Sequence, residues 1–508
     1  MKNIFIFSIL ALSVFFSACD DDKIINLEPT ANTDQSYYQT EAQMQAAVYG
    51  MYQKFTFFYG YRAGANNTLY NVTLLPSDDV TSLGTMACEN FEQLNGNTRQ
   101  VYEYYQFAYQ LIARANVVLE KIETNGDFVY KTANLKDWHK GEALFLRAYM
   151  YFCLWNVFGT APLVTERIVE LDKAYVPNSA GTELLDRAIS DLEEAARLLP
   201  ASWAAAHLGR ATKNSALGLR GKCLVFRGTV NKANADFVAA LADFNALSGL
   251  SLTPAYGTNF ESATENNAES LFEFQANRQP GTTNTSLNND EFAVVGEIGH
   301  YVGMFMRLPT GLNDNFFTAT VSIREAYEEG DPRRDYNLNM SATDRINIMK
   351  YTRAAVWTQT NNTNGVTNNN PRLLRYADVL LLKAEAIVRT GGSLSEAIGL
   401  INQVRERARN SATGDTPSAV PADRDVSEAD SNVALDWIFQ ERRLELAFED
   451  GHRWWDLRRR HIAGEINLST WDFSSLNLNF AFKGTNVYFP LPTREVADNP
   501  NLRQNDGY

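Results

Sequence analysis

Residues Asp137 to Val157 constrain the fold more than any other stretch. Apolar side chains fall on nearly every face of this segment: Ala143, Leu144, Leu146, Ala148, Tyr149, Phe152 and Leu154. A helix that is hydrophobic all round has no face to offer water, so other helices must enclose it. Gly159 and Pro162 end it. Candidate neighbours lie on both sides. Ser36 to Phe55 is predicted as a helix capped by Ser36. Arg99 to Glu123 places Phe107, Leu111, Ala115, Val118 and Ile122 at spacings of three and four. Thr182 to Leu199 stops at Pro200, and Thr212 to Phe226, before Gly228, is partnered by Ala235 to Leu247. Leu373 to Arg389, Ser395 to Arg409 and Asn432 to Phe448 follow later.

The spacing of these helices has a period. Tyr376 to Arg409 spans about 34 residues and breaks once at Gly391-Gly392, the length of one tetratricopeptide repeat, with small Ala384, Ala386 and Ala397 where helices would touch. About four such pairs are predicted, over residues 99–247 and 371–461. They are split by an insertion over about 248–370, rich in Asn, Thr and Gly. The insertion also carries Phe272, Phe274, Phe292, His300, Tyr301, Phe305 and Trp357, and Leu271 to Phe274 is predicted as a short strand. Long connections of this kind are binding loops or disorder, and aromatics among Asn, Gly and Thr favour binding loops. The predicted fold is therefore mostly α: a tetratricopeptide-like helical-repeat scaffold with irregular loops packed on it and little β structure. Residues 19–508 are expected to form one domain.

The N-terminus stands apart. Lys2 precedes an apolar run from Ile4 to Phe16, too short for a permanent membrane span, followed by Ser17, Ala18 and Cys19. This is the grammar of a lipoprotein signal over residues 1–18, with Cys19 acylated, although Phe16 stands where Leu is usual. Asp20-Asp21-Asp22 is a solvated tether beside the lipid. The mature chain is then held at a membrane by its lipids alone. Cys88, Cys153 and Cys223 are an odd number, which argues against a disulfide framework. Cys153 and Cys223 are expected as buried free thiols.

Lys and Arg total 46 against 60 Asp and Glu, a formal charge of −14. Nucleic acid needs a concentrated basic surface, which this balance does not supply. No CxxC, HExxH, GxSxG, phosphate loop or dinucleotide fingerprint occurs, so neither a metal nor a cofactor is expected. Asp314, Glu325, Glu328, Glu329 and Asp331 do not form a calcium loop and are expected to be solvated. Glu441, Glu445 and Glu449 lie beside Arg442, Arg443 and Arg453 and are expected to make ion pairs, not acid–base chemistry. Trp454 and Trp455 are expected in the core.

Six segments, in order, resemble the SusD/RagB family of outer-membrane nutrient-binding lipoproteins. They are Tyr109, Ile112, Ala115 and Asn116; Glu142 to Tyr149, running on to Phe158-Gly159-Thr160-Ala161-Pro162; Gly209-Arg210-Ala211-Thr212-Lys213; Leu374 to Ala386; Glu441-Arg442-Arg443 through Phe448-Glu449-Asp450-Gly451-His452-Arg453-Trp454-Trp455-Asp456; and Asn499-Pro500-Asn501-Leu502 with the terminal Gly507-Tyr508. The resemblance covers the mature chain. It implies a non-enzymatic, surface-exposed lipoprotein that captures oligosaccharides, in some relatives peptides, and delivers them to a TonB-dependent outer-membrane transporter. It also implies that Asp20-Asp21-Asp22 is a surface-export signal, and that the repeats meet the transporter while the loops stay free for ligand. Arg442, Arg453 and Asp456 are expected to form a buried ionic network.

A sugar offers a C–H face and a rim of hydroxyls, so a site needs aromatic platforms beside polar side chains. Two regions qualify. One follows Ser77-Asp78-Asp79, which resembles the family's Ser-Asp loop, and contributes Asp79, Phe91 and Asn95. The other is the insertion, contributing Arg278, Phe292, His300, Tyr301 and Trp357. Three other functions compete. A peptide-capture protein would show an extended groove with backbone partners. A protein-interaction scaffold would leave its concave helical face open. A glycosidase would show two carboxyl groups about 5–9.5 Å apart in a cleft.

Overall fold

The computed structural model describes residues 37–59, 68–84, 86–276, 300–305, 317–339, 345–353, 366–412, 416–476 and 482–508. The long helices among them are α1 (Glu41–Gln53), α2 (Arg99–Val129), α3 (Leu135–Val157), α4 (Glu183–Leu198), α5 (Lys213–Asn231), α6 (Asn234–Ala246), α7 (Tyr376–Arg389), α8 (Leu394–Arg409), α9 (Ser431–Glu445) and α10 (His452–Ile462). The strands are short: β1 (Val80–Ser82), β2 (Ser270–Glu273), β3 (His300–Tyr301), β4 (Phe317–Ala319), β5 (Leu338–Asn339), β6 (Ile346–Ile348), β7 (Val366–Thr367) and β8 (Arg372–Arg375). They pair antiparallel as β1-β4-β6-β5, β2-β8 and β3-β7. The mostly helical class with paired helices is as expected.

Helix boundaries moved where local chemistry decided them. α1 starts at Glu41, not near Ser36. Thr40 caps it reciprocally with Gln43, and Tyr38 has φ of +63°, which no helix contains. α5 passes through Gly228 to Asn231. A Cβ on Gly228 would stand 3.0 Å from the Phe237 ring of α6, so this glycine serves close helix packing and does not end the helix. α7 starts at Tyr376 because Arg372–Arg375 is drawn into the ladder with β2.

Consecutive helices from α2 to α6 pack on one another, and α7 packs on α6 as well as on α8 and α9. The helical stack is thus continuous in space although the insertion interrupts it in sequence. α3 lies in its middle with nearly every residue from His139 to Val157 buried. Its charged residues survive there only by pairing. Arg147 binds both carboxylate oxygens of Asp191 at 2.8 Å and donates to Asn116 at 2.7 Å. Glu142 accepts two bonds from Arg210, at 2.7 and 2.6 Å, and one from Tyr52 at 2.8 Å.

The C-terminal tail closes the end of α3. Gly159 has φ of +72°, and a Cβ there would fall 2.1 Å from the Tyr488 ring. Asn505 donates to the carbonyls of Phe158 and Phe489 at 2.8 and 2.7 Å. No helix among the described residues is long and apolar enough to cross a membrane.

Candidate functional site

The Ser77-Asp78-Asp79 turn is buried and bound to the far end of the chain. Asp78 takes two bonds from Arg453, both at 2.8 Å, and one from the Trp471 indole at 3.1 Å. Burial alone would raise its pKa, but Arg453 and Arg443 outweigh that and hold the carboxyl well below the usual range. Asp79 takes Arg443 Nε at 2.8 Å and Nη2 at 2.6 Å. Both bonds reach Oδ1, and the Asp79 carboxylate, 2% exposed, is paired within the protein while Oδ2 has no partner among the described residues. Phe91 is likewise internal, its ring against Trp454, Phe482 and Phe489 at 5.7, 5.3 and 6.2 Å. Asn95 is exposed, and its side chain shapes the turn before α2 by bonding Asn97 N–H and the Gln93 carbonyl.

The segment from Glu449 to Trp455 explains why that turn is fixed. Glu449 accepts from Arg375 and Lys350, Asp450 from the hydroxyls of Tyr59 and Tyr149, and Arg453 donates to Asp78. Trp454 packs on Phe91 and Trp455 on Phe152, both in the core as expected. The ionic network forms around Arg442, which binds Asp378 at 2.6 Å and Asp456 at 2.7 Å, extended by Lys222 and Arg459. Arg453 lies outside it, and Glu449 does not pair with Arg453. Both side chains point to nearer opposite charges that sequence spacing does not reveal.

A second buried cluster joins Arg333, Arg375, Arg405 and Arg407 to Glu269, Glu441 and Glu445. Burial opposes the charge on Glu445, but Arg407, Arg375 and Arg333 hold its pKa well below normal. A general acid needs the opposite shift. Asp331, expected to be solvated, is buried against Arg333 at 2.8 Å and caps a short helix. Among the described residues, no group of three or more His, Cys, Asp or Glu is placed to hold a metal. Cys88, Cys153 and Cys223 are buried free thiols.

The insertion is organised by an aromatic hub. The His300 ring meets Tyr59, Tyr70 and Tyr351 at 6.2, 5.8 and 5.1 Å. Tyr59 stacks on Phe274 at 5.2 Å, Tyr70 packs on Phe305 at 5.1 Å, and Phe305 meets Phe317 at 6.3 Å. His300 Nδ1 lies 3.1 Å from the Asn369 carbonyl, which only accepts, so Nδ1 carries the proton. Nε2 then accepts from the Tyr70 hydroxyl at 2.6 Å. Burial pushes the His300 pKa down to about 3, so the ring is neutral. Tyr301 is buried and its ring covers Gly303. His300 and Tyr301, read from sequence as ligand contacts, are thus bound within the protein. Arg278, Phe292 and Trp357 lie outside the described residues, as does Cys19.

The hub has one further property. Tyr59 and Tyr70 border residues 60–67, Phe274 and His300 border 277–299, Phe305 and Phe317 border 306–316, and Tyr351 and Thr367 border 354–365. The His300–Thr367 pairing and the bond from Ala276 N–H to Asn370 at 2.8 Å tie these stems together. The described residues that flank these four stretches of sequence are therefore gathered at one place.

With this geometry in view, comparison with known proteins is decisive. Residues 27–228 match the family model described as starch-binding, associating with outer membrane. Residues 313–508 match the model of the SusD family. The chain belongs to the SusD family.

Members of the SusD family are binding proteins and are not catalytic. The description of the N-terminal model associates them with the outer membrane. SusD-like protein P38 of Formosa agariphila is 27% identical, over 100% of this chain and 99% of that protein. A SusD-like protein of Bacteroides ovatus is 25% identical over 88% and 81%. A SusD homolog from Bacteroides thetaiotaomicron has the same fold, with a TM-score of 0.75 at 22% identity over 94% of this chain and 99% of that one. A laminarin-binding SusD-like protein superposes with a TM-score of 0.70 at 25% identity, over 93% and 100%.

Proposed function

We propose that this chain is a surface lipoprotein, anchored through Cys19, that captures oligosaccharides and delivers them to a TonB-dependent outer-membrane transporter. The capture face is the one at the His300 hub. The convergence there of the residues flanking 60–67, 277–299, 306–316 and 354–365 carries this reading. A buried, hydrogen-bonded cluster holds those flanking residues in one place, and rigid support is what a binding site requires. The laminarin-binding relative supports a neutral glycan as the ligand class. In this reading Arg278, Phe292 and Trp357 contact ligand, His300 and Tyr301 support the face from within the hub, and Asp79, Phe91 and Asn95 serve the fold.

The test is a binding screen of the purified chain from Asp20 against neutral and acidic polysaccharides and a peptide mixture, with product analysis. Saturable binding of one glycan class without cleavage is expected. Trp357→Ala should weaken it about 5- to 100-fold, the size of one lost base- or sugar-type stacking contact. Retention of peptides alone would favour the peptide-capture protein of the same architecture, and shorter sugars in the products would refute a binding role.

A further inference from the structure

A groove lies beside the N-terminal helix α1 and strand β2, sharing only Phe274 with the His300 hub. Two compartments flank the ridge Leu208-Gly209-Arg210. One, of about 250 Å³, is walled by Tyr49, Tyr52, Phe272 and Phe274 over Thr56. The other, of about 220 Å³, is lined by Trp203, Asn214 and Ser270. Side by side they approach the size of a small-ligand pocket, roughly 300–1,000 Å³.

Arg210 lines both. Its Nε and Nη2 are bound to Glu142, so its charge is neutralised within the protein. Its guanidinium lies 3.8 Å from the centroid of the Trp203 ring and 5.4 Å from that of Tyr49. Its side chain is 7% exposed, and Nη1 has no partner among the described residues. Thr56 Oγ1, in the wall of the first compartment, is also buried without a partner. Buried polar atoms are almost always hydrogen-bonded, so the buried Thr56 Oγ1, beside the open Nη1 donor of Arg210, marks a place for a polar ligand. Tyr49 is 41% exposed at the rim and Leu208 57%, giving apolar surface beside those donors.

We propose that this groove is an accessory binding site for a neutral sugar unit. The proposal rests on the glycan reading above. Tyr49 and Leu208 receive the C–H face of the ring. Arg210 Nη1 donates to a ring hydroxyl, and Thr56 Oγ1 exchanges a hydrogen bond with another. An anionic unit gains nothing here, because Glu142 already balances Arg210 and the chain carries −14 overall. A polymer that reaches both this groove and the loop face would be held at two points, and its second contact would be intramolecular.

Calorimetric titration of the mature chain with laminari-, malto- and manno-oligosaccharides tests this, with hydroxyl-radical footprinting at Tyr49 and Trp203. Two classes of site and protection of both rings by sugar are expected. Tyr49→Ala should abolish the weaker class and leave the other. Thr56→Val, which keeps the shape and removes only the unpartnered hydroxyl, should weaken it roughly three- to tenfold. A single class of site unchanged in both variants would overturn the accessory site and leave the glycan reading standing. Binding of no sugar at all would overturn both. Protection of Tyr49 by peptides and not by sugars would replace the sugar with a protein partner.

Discussion

Arg453 and Asp78 are 375 positions apart in the chain and 2.8 Å apart in the fold. At this scale most of the conspicuous charges serve the protein itself. Asp78, Glu385 and Glu445 are held ionised by guanidinium groups, because an unpaired charge in a dry interior is far costlier than either partner alone in water. Arg453→Ala should therefore cost about 1–3 kcal/mol, since it leaves buried Asp78 with only the Arg443 guanidinium at 3.5 Å and the Trp471 indole. Arg453→Ala combined with Asp78→Asn should recover part of that loss. Urea unfolding of the wild type, both single variants and the double variant gives the coupling energy. A coupling near zero would mean that Arg443, and not Arg453, neutralises Asp78. Residue types in the sequence revealed that these charges would pair. They did not reveal with whom: Arg453 was assigned to the Arg442–Asp456 network and belongs to Asp78, and Asp79 looked like a ligand contact and is the partner of Arg443.

At the scale of the element, the periodic helices were legible because hydrophobic spacing reports which face is buried whatever buries it. Their ends were less so. α1 begins at a local cap, Thr40 with Gln43, whereas α5 continues and α7 begins where a close-packed neighbour or a strand partner decides, and those are contacts from other elements. The end of α3 is the clearest case. Gly159 is required twice, by its positive φ and by the Tyr488 ring lying over it. Gly159→Ala should destabilise by more than the ~1–2 kcal/mol of left-handed strain, because the methyl group also displaces that ring. Adding Tyr488→Ala should relieve the steric part and leave the strain. Thermal unfolding of both variants checks this. Equal stability of Gly159→Ala and wild type would show that the tail over Gly159 contributes nothing.

At the scale of the molecule, we propose that residues 37–508 unfold as one unit. Contacts between the two ends of the chain argue for it: Asp78 and Asp79 with Arg453 and Arg443, Tyr59 and Tyr149 with Asp450, and Phe158 with Asn505. The packing of α6 on α7 closes the stack across the insertion. Denaturant unfolding followed by tryptophan fluorescence and by far-ultraviolet circular dichroism should give coincident transitions. Trp155 reports from the first half of the stack and Trp454 from the second. Two separated transitions would divide the chain into independent domains.

The sequence by itself determined the helical class, the repeat-like spacing, the buried tryptophan pair and the family. Each depends on local periodicity or on a run of adjacent residues, which the chain order preserves. Packing alone settles which acids and guanidinium groups meet, that His300 and Tyr301 are buried within an aromatic cluster, and that Tyr49, Thr56, Trp203 and Arg210 border one groove. Trp203 and Arg210 share the connection between α4 and α5, Tyr49 and Thr56 come from the N-terminal helices, and only Arg210 falls in a segment that the sequence singles out. Partner choice among buried charges, and the assembly of a groove, depend on distances across the fold. A list of residues in order contains no such distances until the chain has packed.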